Sequence, residues 1–244
     1  MSVASDSRRR DRRRSIASIG QEPSRESDPH YVPAAGRAAL TGLYDLAMAA
    51  TMRERRWREP LVDRVSELLD PGATVIDVGA GTGTLALAIA AKRPDARVVA
   101  VDGDADALAR ARKKPGSERV EWQEDLAGNI TMPSASAGVV VMSLLLHHLQ
   151  RESKLAALRE ARRLLRPGGH LVVADWGRPS SPTAGAGFLA LRALDGFSNT
   201  ADHARGRVAE LIGAGGFERP STDLRLPTIW GTLELLRARA PRVR

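Results

Sequence analysis

Residues 74–92 constrain the fold of this chain more than any other stretch. Thr74-Val75-Ile76-Asp77-Val78 is a short, β-branched apolar run. It passes directly into Gly79-Ala80-Gly81-Thr82-Gly83, and residues 84–92 are helical in composition. A strand that turns through glycines into a helix is the opening of a parallel α/β sheet. Glycine lets the backbone turn sharply and lets a ligand approach the main chain with no Cβ in the way. Open α/β sheets bind ligands at the carboxyl ends of their strands, where this loop falls.

The same alternation continues downstream. Residues 97–101, 120–123, 137–144 and 170–175 read as strands, and residues 105–113 and 153–165 as helices, with Pro167-Gly168-Gly169 breaking the second. The run at 137–144 is apolar throughout, which suits a strand buried on both faces. After Trp176 the pattern changes. Residues 177–187 read as a Ser/Pro/Gly loop, 188–194 and 205–213 as helices, and 217–226 and 229–238 as two strands joined around Pro227. The prediction is a Rossmann-like α/β fold: a seven-stranded, mostly parallel sheet with one antiparallel edge strand and helices on both faces. Upstream, residues 40–48 and 61–69 carry helical spacing, with Pro60 suited to the first turn of the second helix. Residues 1–30 hold few large apolar groups and read as a disordered Arg/Ser-rich leader. The expected organisation is therefore a leader over 1–30, a helical cap over 31–70 and a core domain over 71–244.

Two ligand families fit the glycine loop. A dinucleotide site wants Gly-x-Gly-x-x-Gly, and Thr84 stands where its third glycine belongs. A carboxylate at Asp77 is also unwelcome beside a pyrophosphate. It is welcome beside an ammonium and a sulfonium, which leans the loop toward S-adenosylmethionine. Asp102, with Gly103 beside it, ends the second strand and can accept from both ribose hydroxyls; its alternative role is to cap the next helix. Glu124 and Asp125 follow the third strand, where either can accept from an adenine amino group while Leu126 covers the ring. His147 and His148 follow the fourth strand and are candidate bases for a nucleophile that must lose a proton. Asp175, Trp176 and His203 are candidates to line an acceptor pocket.

Composition narrows the field. The chain of 244 residues has no cysteine, which excludes disulfides, thiolate metal sites and a cysteine nucleophile. No structural metal is expected. The formal charge is +8, but residues 1–14, with six arginines and two aspartates, supply +4 of it. The body is only mildly basic, so nucleic acid is not an expected partner beyond nonspecific contact by that tail. No apolar segment reaches the ~20 residues of a membrane span and no secretory h-region follows the arginines, so a cytoplasmic protein is expected.

Asp77-Val78-Gly79-Ala80-Gly81-Thr82-Gly83, Asp102, Asp125, Ser143-Leu144-Leu145-Leu146-His147-His148 and Leu164-Leu165-Arg166-Pro167-Gly168-Gly169-His170-Leu171 occur in that order. Together they resemble the class I S-adenosylmethionine-dependent methyltransferases, most of all the small-molecule branch around the ubiquinone/menaquinone-biosynthesis methyltransferases. The resemblance implies that Gly79, Ala80 and Gly81 contact the methionine moiety, that Asp102 with Gly103 holds the ribose, and that Asp125 faces adenine. Ser143, at the end of strand four, would belong to the cofactor-binding set. Tyr44, Arg53 and Trp57 resemble the family's amino-terminal cap, with Tyr44 bonding the methionine carboxylate. The acceptor it implies is a small molecule methylated at O, N or C. Ala137-Gly138 replaces the Phe-Asp that many relatives carry, and the segment after Asp125 is longer than usual. Two other readings stand beside it: a nicotinamide-dependent oxidoreductase, and a non-catalytic S-adenosylmethionine-binding protein whose basic tail touches nucleic acid.

Overall fold

The computed structural model describes residues 55–242. The expectations for the leader, for the helix at 40–48 and for Tyr44 and Arg53 lie outside the described residues.

In chain order the elements are α1 (Arg55–Leu68), β1 (Thr74–Val78), α2 (Thr84–Lys92), β2 (Arg97–Asp102), α3 (Ala105–Ala111), β3 (Val120–Glu124), β4 (Ala137–Ser143), α4 (Arg151–Leu164), β5 (Leu165–Gly177), α5 (Pro182–Asp195), α6 (Ala201–Ala204), α7 (Val208–Ala214), β6 (Ser221–Thr228) and β7 (Gly231–Arg239). Seven strands form one sheet in the order β3-β2-β1-β4-β5-β7-β6. The five strands from β3 to β5 pair in parallel. The antiparallel end of the sheet is a hairpin: β7 runs against both β5 and the edge strand β6. The turn between them is Ile229-Trp230, and Pro227 lies within β6.

Helices cover both faces, and the two-residue alternation of the strands decides which side chain meets which layer. Val75, Val139 and Val172 face α1, α2 and α5 through Leu61, Val65, Ile89 and Phe188. Ile76, Val140 and Val173 face α4 and α7 through Leu158, Leu164, Leu211 and Ile212. The described part of the expected amino-terminal cap, α1, thus packs on the sheet itself.

Several boundaries differ from the sequence reading, among them the strand expected at 217–226, which is 221–228, and the helix expected at 205–213, which falls into two, 201–204 and 208–214. Pro60 stands inside α1. It leaves the Arg56 carbonyl without its helical donor, and burial of Trp57 and Leu61 on the sheet-facing side outweighs that loss. Strand β5 begins at Leu165 and runs through Pro167-Gly168-Gly169, because Gly168 N–H donates to the Ala240 carbonyl and Ala240 N–H to the Gly169 carbonyl. Half of the expected loop at 177–187 is helix: Ser181 caps α5, accepting from Ala184 N–H at 3.1 Å, and Pro182 fills its first turn. Gly187 is needed inside that helix because a Cβ there would lie 1.6 Å from the Ile229 carbonyl oxygen. No helix among the described residues is long and apolar enough to cross a membrane.

Candidate functional site

The loop after β1 is held from below and open above. Gly79 and Ala80 N–H both donate to the Val101 carbonyl, at 2.8 and 3.0 Å, which staples the loop to the end of β2. Gly79, Gly81 and Gly83 all have positive φ, at 75°, 54° and 74°, where a Cβ is strained. Their surroundings differ. A Cβ on Gly83 would lie 2.3 Å from the Trp122 ring and one on Gly79 2.7 Å from the Leu145 side chain, whereas nothing lies within 4 Å of one on Gly81. A Cβ on Gly83 or Gly79 would thus meet packed side chains, whereas one on Gly81 would face open space; Gly79 also lines the cavity over the loop.

Asp77 lies beneath this loop, fully buried, and among the described residues neither carboxylate oxygen has a hydrogen bond of normal geometry, only the Ala86 backbone N–H acting on it as a weak donor. Burial first, then the negative charge of Asp102, push its carboxyl up to about 7. The Ala86 backbone and Arg58 oppose this only in part. A buried carboxylate with so little compensation costs several kcal/mol in order of magnitude, a cost that a neighbouring cationic group would relieve.

Asp102 is half-buried and tied to the loop. One oxygen accepts Gly81 N–H at 2.6 Å and the other accepts Asp104 N–H at 2.8 Å. The cap of α3 is instead Asp104, which accepts from Asp106 and Ala107 N–H. Asp102 therefore retains lone pairs beyond those two bonds, with Gly103 next to it. Asp125 sits beside the same edge, its N–H donating to the Asp102 carbonyl. Its carboxylate accepts from Thr131 N–H at 2.7 Å and from the Gln123 amide at 2.5 Å, which closes the 125–131 loop. Glu124 is exposed at the end of β3, in register with Asp102. Leu126 is an exposed large apolar side chain at the same end of the sheet.

A cavity of about 360 Å³ opens over the loop, lined by Trp57, Arg58, Gly79, Ala80, Thr82, Thr84, Leu85, Ser143 and Leu144. Thr84, the residue that breaks the dinucleotide pattern, accepts from Lys114 Nζ at 2.9 Å together with Thr82. Leu144 has φ 52°, a left-handed conformation that a leucine adopts only under constraint. Its N–H bonds the Ala174 carbonyl at 2.8 Å, which fixes it against the next strand. Arg58 and Leu144 were not anticipated. The signal for Arg58 was its place beside Trp57 in a basic, aromatic stretch; strain at Leu144 leaves no mark in sequence.

His147 and His148 lie in a short 3-10 turn, Leu146–His148, and neither lines that cavity. His147 is buried, with Nδ1 2.7 Å from Asp175 Oδ1. Asp175 also accepts Leu146 N–H at 2.8 Å and Trp176 N–H at 2.7 Å. Burial works against the charged form of His147, but the charge and hydrogen bond of Asp175, with Asp195, hold its pKa above the ordinary value. His203 is fully buried 3.6 Å from Asp175, both ring nitrogens without hydrogen bonds among the described residues, and burial lowers its pKa to about 4. Trp176 packs in the core against Phe188. The structure thus gathers His147, His148, Asp175 and His203 into one polar cluster, and adds Asp195 to it.

Residues 75–169 match the model of a methyltransferase domain. Among curated proteins the chain is similar to the ubiquinone/menaquinone biosynthesis C-methyltransferase of Caulobacter vibrioides, at 31% identity over 134 residues, 51% of this chain and 52% of that one. It is also similar to the trans-aconitate 2-methyltransferase of an Azoarcus species, at 37% identity over 106 residues, 43% of this chain and 40% of that one. The chain spans about half the length of the curated relatives it matches. Among solved structures, an O-methyltransferase-like protein from Nostoc punctiforme superposes with a TM-score of 0.63 at 21% identity, covering 76% of this chain and 56% of that one. That likeness is one of fold.

Proposed function

Because the chain carries a methyltransferase domain of the class I, S-adenosylmethionine-dependent family, we propose that it transfers a methyl group from S-adenosylmethionine to a small-molecule acceptor. The observation that carries this reading is Asp77: a fully buried carboxylate with no hydrogen bond of normal geometry among the described residues, beneath a loop of three positive-φ glycines. When bound, S-adenosylmethionine supplies a methyl already activated by its sulfonium, so the protein's task is to align an acceptor and exclude water.

The residues present fit that cofactor. Asp77 would compensate the positive charge of its methionine end. Gly81, with no Cβ and open space around it, lets the ligand reach the main chain. Asp102, already oriented by Gly81 and Asp104 N–H, would accept from the ribose hydroxyls, with Gly103 alongside. Asp125, with Glu124 near it, would stand at the adenine end, and Leu126 would cover the ring. Ala80, Ser143 and Leu144 would form the floor of the cavity. Tyr44 belongs to this reading as a partner of the methionine carboxylate. His147 and His148 are set apart from the cavity lining, so the reading assigns them no proton transfer.

The relatives are named as a C-methyltransferase of ubiquinone/menaquinone biosynthesis and a trans-aconitate methyltransferase, which supports an acceptor that is a small molecule without identifying it or the atom methylated. Calorimetric titration with S-adenosylmethionine and with NAD, followed by a metabolite screen with labelled S-adenosylmethionine, tests the proposal. Saturable binding of S-adenosylmethionine and label transfer support it. Preferential binding of NAD refutes it.

A further inference from the structure

Three side chains converge where the turn after β4 meets the end of α5. His147 Nε2 lies 3.8 Å from Asp195 Oδ2, and His148 Nδ1 lies 3.7 Å from Asp195 Oδ1. One ligand atom from each of the three residues falls within 4.8 Å of the other two. These distances are too long for hydrogen bonds. They suit donors around an ion, since nitrogens and oxygens about 2.0–2.2 Å from a metal stand well over 3 Å from one another.

The donors are held ready by their neighbours. Asp175 Oδ1 lies 2.7 Å from His147 Nδ1, and in the tautomer with Nδ1 protonated this orients Nε2 toward Asp195 as the ring's donor atom. Metal-binding histidines are oriented by this kind of carboxylate partner. The Asn199 amide donates to the His148 carbonyl at 3.0 Å and to the Asp195 carbonyl at 3.2 Å, and so ties together the two backbone segments that carry the other donors. Asp195 is the last residue of α5, where a carboxylate opposes the helix dipole. Among the described residues, the cations Arg151 and Lys154 both pair with Asp202. His148 is partly exposed, with 36% of its side chain accessible, so the cluster is reachable from solvent.

We propose that His147, His148 and Asp195 bind one first-row divalent transition-metal ion, with Asp175 and Asn199 as the residues that position them. Two imidazoles and one carboxylate are a ligand set for zinc, iron, nickel or manganese rather than for calcium or magnesium. The absence of cysteine excludes only thiolate sites and leaves this set available. Three protein ligands are the number found where a metal keeps an open position for water or a substrate. The ligand class that position takes is a small molecule with an oxygen or nitrogen donor. This assignment stands independently of the methyl-transfer reading, and its test needs no turnover.

Untagged full-length protein, stripped with chelator, is titrated with Zn²⁺ by calorimetry and with Co²⁺ by visible absorption. One ion per chain is expected, with Co²⁺ showing the intense bands of a low-coordinate site. His148→Ala and Asp195→Asn should each weaken binding by more than the roughly 10–100-fold that losing an outer-shell partner costs. Asp175→Asn should fall within that outer-shell range. His170→Ala, on the far part of β5, should bind as the wild type does. Circular dichroism checks that each variant is folded, and the near-isosteric Asp195→Asn serves if His148→Ala is not. Absence of Zn²⁺ binding by the wild type, or equal affinity in folded His148→Ala or Asp195→Asn, overturns the proposal.

Discussion

Asp77 and Asp102 are carboxylates at the carboxyl-terminal parts of adjacent parallel strands, and of the two only Asp102 makes hydrogen bonds of normal geometry among the described residues. Asp102 accepts Gly81 and Asp104 N–H at 2.6 and 2.8 Å, while Asp77 is pushed up to about 7 by burial and by Asp102.

The first prediction is the sign of the pH dependence of stability. The folded pKa of Asp77 is above its ordinary 3.8, so between about 4 and about 7 the folded state binds more protons than the unfolded state. The stability of the ligand-free protein should therefore fall as pH rises through that window and then level off. A shift from 3.8 to about 7, at ~1.36 kcal/mol per unit, sets the fall at roughly 4 kcal/mol as an upper bound. Chemical denaturation of the wild type and of Asp77→Asn across this range checks it. The variant should lose this component of the slope, and an unchanged slope would place the titration elsewhere.

A second prediction concerns Asp102. Asp102→Ala should weaken S-adenosylmethionine binding by about 10- to 150-fold, the equivalent of one charge-assisted hydrogen bond of ~1.5–3 kcal/mol. Removing its charge should also lower the Asp77 midpoint, since Asp102 is the second contributor to that shift. Titration calorimetry reads the first effect and the pH dependence of denaturation the second. Near-wild-type affinity would show that Asp102 holds the loop and not the ligand.

Gly81→Ala and Gly83→Ala should separate binding from folding. Both add a Cβ at positive φ, a strain of about 1–2 kcal/mol. Only at Gly83 does the Cβ also meet the Trp122 ring, at 2.3 Å, so that variant should lose several degrees more in melting temperature than Gly81→Ala. Gly81→Ala should keep most of its stability and lose ligand affinity. Thermal melts and calorimetry on both variants make the comparison, and the reverse pattern would contradict the assignment of Gly81 to the ligand.

The parallel half of the sheet was legible because strands buried on both faces must be apolar along their length, as residues 137–143 are, and because a glycine loop after a strand has few alternatives. The amino-terminal half of α5 was not. Gly185 and Gly187 read as loop, whereas Gly187 is small because the Ile229 carbonyl packs against it, a contact between residues far apart in sequence. Ser181-Pro182 was the available sign of that helix start. Asp77 and Asp102 were legible from their spacing around the glycines. Asp195 was not, since its meaning comes from a histidine turn that the chain brings beside it only after folding.

The account rests on Asp77 awaiting a cation, and one titration tests that most directly. Calorimetry with S-adenosylmethionine at about pH 6 and about pH 8, in buffers of different ionisation enthalpy, reads affinity and proton release together. The account predicts one site per chain, tighter binding at the higher pH, and release of up to one proton at the lower pH in the wild type but not in Asp77→Asn. No binding, or binding that neither depends on pH nor releases that proton, would contradict it.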